Sequence, residues 1–125
     1  MYTLAIQREF IAQHYHTDEW HDEKYLRSFR YKAELSIDSE ELDGQGYIVD
    51  FEELGSQFEG VIDEFRDNIL SELPDFDGFN PSIENFCRIL CEKMDEALYA
   101  PNVVVISMKL WEGDTAWVAY DLERA

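Results

Sequence analysis

Asp50-Phe51-Glu52-Glu53-Leu54-Gly55-Ser56-Gln57-Phe58 lies near the middle of a chain of 125 residues, and here the spacing of the apolar residues changes. Leu54, Phe58, Val61, Ile62, Phe65 and Ile69 recur at the intervals of an amphipathic helix. Asp50 precedes the run as a helix cap, and Glu53 follows at capping-box spacing. A helix is therefore expected from Phe51 to about Leu70, before Leu73-Pro74. Residues 74–80 are rich in Asp, Gly and Pro and read as a loop. Pro81 then opens a second helix, since its fixed φ suits a first turn. Phe86, Ile89, Leu90, Met94 and Leu98 form that helix's apolar face, and Pro101 and Asn102 stop it.

On either side of this helical centre the period is shorter. Leu4, Ile6, Phe10 and Ala12 alternate with polar residues over 2–13, which predicts a strand. Thr17 to Lys24 is polar and reads as a loop, and a second strand follows over 25–37. Asp43-Gly44-Gln45-Gly46 carries turn chemistry. Val103 to Leu110 is apolar and β-branched, Glu112-Gly113-Asp114 reads as a turn, and Thr115 to Leu122 is a last strand. The order is ββααββ. The fold class is α+β, an antiparallel four-stranded sheet with two helices on one face. Residues 1–125 read as a single domain, with no internal repeat or linker.

Composition narrows the function. The formal net charge is −18, from 28 acidic and 10 basic residues. Binding to a nucleic-acid backbone or to an anionic membrane needs clustered cations, so neither partner is expected. The charge leaves two readings open, an acidic surface suited to a salt-rich cytoplasm and a docking face for a basic partner. No apolar run approaches the roughly 20 residues of a membrane span, and no secretory leader is read at the start, so a cytoplasmic location is expected. Cys87 and Cys91 stand one helical turn apart, poor geometry for a disulfide, and read as small core residues. Trp20, Trp111 and Trp117 suit either stacking on a heterocycle or packing, and their spacing does not decide between the two.

Four short stretches share an order with a known family. They are Phe10-Ile11-Ala12-Gln13-His14, Gly46-Tyr47-Ile48-Val49-Asp50-Phe51, Pro81-Ser82-Ile83-Glu84-Asn85 and Trp111-Glu112. Together they resemble the 6-pyruvoyl tetrahydropterin synthase and 6-carboxytetrahydropterin synthase family. The resemblance implies the tunnelling fold, in which subunits join their sheets into a closed barrel, and a homo-oligomer, trimer or hexamer. It implies a pterin-like small molecule bound at a subunit interface. Glu112 matches the glutamate that accepts two hydrogen bonds from the pterin, a task suited to a carboxylate. Ser82 matches the family's threonine and keeps a hydroxyl.

The same resemblance implies zinc held by three histidines, and here the chain departs from it. His14 matches the first ligand, but Arg27-Ser28-Phe29 stands in place of H-G-H. An arginine cannot lose its proton to ligate, and phenylalanine has no donor atom. The family's zinc site is therefore not expected. Zinc stays possible through a compensating cluster of His14, His16 and His21 with Asp18, Glu19 or Asp22, although His16 and His21 also read as ordinary surface residues. The family's catalytic cysteine has no counterpart between His14 and Arg27. Its Asp-His pair is replaced by Arg66-Asp67, which leaves Asp67 as the one candidate acid–base group, and it would need burial to be poised near neutrality. Three functions are compatible: a pterin-binding member with impaired lyase chemistry, a metal-independent pterin aldolase or epimerase with Arg27 or Arg66 on an oxyanion, and a non-catalytic interaction protein. Phe29 filling the metal cavity would favour the third. Arg27 and Arg66 turned away from Glu112 would remove the basis of the second.

Overall fold

The computed structural model describes residues 1–17 and 24–124. Two long strands, β1 (Tyr2–Thr17) and β2 (Lys24–Ser39), form an antiparallel hairpin, followed by α1 (Phe51–Asp63), α2 (Ile83–Ala97), β3 (Val105–Glu112) and β4 (Trp117–Glu123). The sheet order is β1-β2-β3-β4 and every pairing is antiparallel. The expected α+β architecture is the observed one.

Alternation along each strand separates two faces. Phe10 and Ala12 of β1, Tyr31 to Ile37 at alternate positions of β2, and Ile106, Met108 and Leu110 of β3 are buried beneath the helices. Leu54, Phe58, Val61 and Ile62 of α1 and Phe86, Leu90, Cys91 and Met94 of α2 close the core from the other side. At its centre Phe86 meets Tyr31 edge-on, with ring centres 5.1 Å apart, and Phe10 edge-on at 5.9 Å. The opposite face of the sheet has no layer over it among the described residues.

Several boundaries differ from the sequence expectation, each for a local reason. The first helix ends at Asp63 rather than near Leu70. Beyond it Asp67 adopts φ 60°, and the chain turns onto the rim of β1: Asp67 N–H donates to the Ile11 carbonyl (2.7 Å) and Gln13 N–H to the Asn68 carbonyl (2.9 Å). The expected loop over 74–80 contains one short 3-10 turn, Pro74–Phe76. Pro81 does not open α2. Ser82 is its cap, with Oγ accepting from Asn85 N–H at 3.1 Å. Glu112 belongs to β3 rather than to a turn. The reversal falls on Gly113, at φ 74°, a conformation that costs glycine little.

Candidate functional site

One row of side chains crosses the helix-covered face where the core thins toward the end of the sheet. Glu112 ends β3 directly opposite Tyr31 of β2. It shares the inward face of Met108 and Leu110. Tyr31 is buried, and burial first, then the Glu112 carboxylate, pushes its phenol pKa up. Phe29 lies next along β2, its ring centre 6.4 Å from that of Tyr31. Beyond it the His14 imidazole stacks on Phe29 at 4.1 Å, with planes 4° apart. The row thus runs Glu112, Tyr31, Phe29, His14, from a carboxylate over flat rings to an imidazole.

His14 and position 27 face each other in register, and the Arg27 guanidinium sits 5.3 Å from the Phe29 ring centre. Arg27, Phe29 and His14 therefore make a cation–ring–ring stack where the resemblance would put three ligands. His14 Nδ1 lies 3.2 Å from the Tyr15 carbonyl, which calls for the Nδ1–H tautomer and leaves the Nε2 lone pair unengaged. That Nε2 is buried without a hydrogen-bond partner. It could ligate, but Phe29 and Arg27 offer it no companion donor. Among the described residues no group of three His, Cys, Asp or Glu side chains is placed to hold a metal ion. The side chains of His16 and His21, and the acids of the same loop, lie outside the described residues.

The remaining candidates occupy other places. Ser82 caps α2, and one turn on Phe86 meets Tyr31, so the cap lies toward the same end of the core as Glu112. Asp50 caps α1 through Oδ1, which accepts from Glu52 N–H (2.9 Å). Arg66 is held by Glu59, at 3.0 Å, and by Asp63. Asp67 lines an open depression of about 430 Å³ with Glu9, Phe10, Ile11, Arg30 and Arg66, which includes neither Glu112 nor His14. Cys87 and Cys91 are free and buried, and burial first pushes both thiols up to about 12. Their Sγ atoms lie 3.2 Å from the Met108 carbonyl and 3.7 Å from the Ile106 carbonyl, between helix and sheet. Tyr31 was not singled out in the sequence, because only the strand register sets it beside Glu112.

A family profile described as 6-pyruvoyl tetrahydropterin synthase matches residues 3–123. Solved structures of 6-pyruvoyl tetrahydropterin synthases share the fold. The Plasmodium vivax enzyme superposes with a TM-score of 0.79 at 15% identity over 98% of both chains. The Plasmodium falciparum enzyme gives 0.74 at 14% identity, over 98% of this chain and 99% of that one. The Caenorhabditis elegans enzyme gives 0.72 at 17% identity, over 99% and 96%. At such identities these likenesses speak for the fold alone. No curated protein sequence matches the chain significantly.

Proposed function

This chain belongs to the 6-pyruvoyl tetrahydropterin synthase family, and from that premise we propose that it binds a pterin-type heterocycle at Glu112 without the family's zinc-dependent chemistry. The observation that carries the reading is Glu112 beside the buried Tyr31, at the head of the ring row that ends on His14. A carboxylate there accepts the paired N–H donors of a pterin edge, as it would a guanidinium. Tyr31 is buried and closes the core beneath the site, and the half-buried Phe29 is the flat apolar side chain proposed to flank the ring system. Ser82 is the hydroxyl proposed to reach the ligand from the cap of α2. A homo-oligomer that completes the pocket belongs to the same proposal.

Zinc would polarise substrate oxygens in such a site, but these residues do not fit it. Phe29 and Arg27 bring no donor to His14, and Arg66-Asp67 lies in a different depression from Glu112. Arg66 is engaged by Glu59 and Asp63 and gives no support to an aldolase-type oxyanion role. The stack of Phe29 on His14 favours one second reading, a member that keeps the fold as an interaction protein without a ligand. Isothermal calorimetry with a soluble pterin such as neopterin separates the two. The wild type is expected to bind and Glu112→Gln to lose on the order of a hundredfold in affinity, the effect of replacing a charged acceptor, with an unchanged melting temperature. Equal affinity in the two proteins would remove Glu112 from the site, and no binding by either would leave the interaction reading.

A further inference from the structure

The ten basic residues are not distributed evenly among partners. Among the described residues five of them meet carboxylates: Arg8 with Glu59, Arg66 with Glu59 and Asp63, Arg88 with Glu92, Lys93 with Glu64 and Asp75, and Arg124 with Asp95. On the uncovered face of the sheet, Arg30, Lys32 and Lys109 form no ion pair among the described residues. Lys32 Nζ lies instead 4.1 Å from the Trp111 ring centre. Lys109 Nζ lies 5.4 Å from the same ring and 4.2 Å from that of Trp117. Two ammonium groups thus converge on one indole.

Carboxylates stand ready by register and are not used. Glu9 lies opposite Lys32 and Glu34 opposite Lys109. Glu34 accepts from Gln7 Nε2 at 2.8 Å, and Glu9 makes no ion pair among the described residues. Like charges brought together repel, and a chain of net charge −18 has ample acid to separate them. Beside Lys32 is a depression of about 100 Å³ lined by Glu9, Arg30, Lys32, Trp111, Gly113 and Asp114, and Lys109 reaches it only through the Trp111 ring that forms one wall. We propose that this face binds a compact phosphate-type oxyanion, held by Lys32 and Lys109 above Trp111 with Arg30 at its flank. A tetrahedral anion accepts from several donors at once, and a guanidinium and ammonium groups are its ordinary partners. Single carboxylates are a poor match, since the two nearest in register leave these lysines alone. Glu9 and Asp114 line the depression and oppose the anion, so they limit its affinity. The site lies on the face of the sheet away from Glu112 and does not depend on the heterocycle reading.

Inorganic phosphate titrated into the full chain, followed by tryptophan fluorescence, tests the proposal, with sodium chloride at matched ionic strength as reference. Drawing an ammonium off Trp111 or Trp117 alters the emission of that indole. Phosphate is expected to give a saturable change that chloride does not. Lys32→Met and Lys109→Met each lower the affinity on the order of tenfold, the loss of one charge-assisted contact. Glu9→Gln raises it several-fold, and this variant decides the matter should a lysine variant fold poorly. A phosphate response that follows ionic strength alone overturns the proposal. So does a set of variants that titrate like the wild type.

Discussion

Tyr31 carries more than one duty at the scale of a single residue. Its ring is 1% exposed, stacks on Phe10 at 5.5 Å and meets Phe86 edge-on, so it is part of the core. Its phenol also faces the Glu112 carboxylate, and burial together with that charge favours the neutral form. The folded protein therefore holds this proton to higher pH than the unfolded chain does, where a tyrosine titrates near about 10. The contribution to stability is complete below that value and is lost as pH rises through the folded pKa. An absorbance titration at alkaline pH is expected to show one phenol that ionises only as the protein unfolds. In Tyr31→Phe that delayed step should vanish. If all of the native phenols titrate together, the Tyr31 phenol is not buried as described.

Among the elements, α2 has a feature that chain-local reading misses. Its last turn contains no basic residue, yet its C-terminal carbonyls are not left bare. Arg124, just past β4, donates through Nη2 to the Asp95 carbonyl at 3.3 Å and to that of the cap residue Leu98 at 2.8 Å, and through Nη1 to the Ala100 carbonyl beyond the helix at 3.2 Å, while its Nε pairs with the Asp95 carboxylate at 2.9 Å. Arg124→Met keeps the stem and removes these contacts. It is expected to cost roughly 1.5–3 kcal/mol, the range for hydrogen bonds to a charged group, read as a lower urea midpoint with an unchanged slope. A midpoint equal to the wild type would mean that water replaces the guanidinium without loss. The same distinction explains what the sequence could reveal. The switch from alternating Leu4, Ile6, Phe10 and Ala12 to helical spacing from Leu54 is local, so element order and fold class were readable. Helix ends depended on distant partners. The turn at Asp67 is fixed by Ile11 and Gln13 of β1, more than fifty residues earlier in the chain, and nothing near Asp67 announces it. Motif order singled out Glu112 and His14 as candidates. The contacts that define their surroundings, Tyr31 across the sheet and Phe29 against the imidazole, arise from strand register and were not visible beforehand.

For the molecule as a whole, the question is whether the fold from β1 to β4 can frame the three-histidine metal site that the proposed function takes to be missing. Positions 14, 27 and 29 share the inward face at one end of the β1–β2 hairpin: His14 is paired in register with Arg27, and Phe29 stacks on it. The His14 Nε2 remains buried and unpartnered, oriented by the Tyr15 carbonyl at Nδ1. Histidines at positions 27 and 29 would bring two neutral nitrogen donors to that atom, and three histidines with an open fourth position are a recognised zinc set. The net charge of −18 favours accumulation of a cation at any such site. The Arg27→His/Phe29→His double variant is therefore expected to carry about one tightly held zinc per chain, and the wild type prepared alongside it far less, by mass-spectrometric metal analysis. Added zinc should also raise the melting temperature of the variant but not of the wild type, because a ligand bound only by the folded state stabilises it in proportion to the logarithm of its concentration over Kd. Stripped of metal, the variant should be less stable than the wild type, since the Arg27–Phe29–His14 stack is gone. A double variant that folds and still takes up no more zinc than the wild type would mean that this end of the hairpin does not frame a three-histidine site, and that the Phe29 stack is its settled structure.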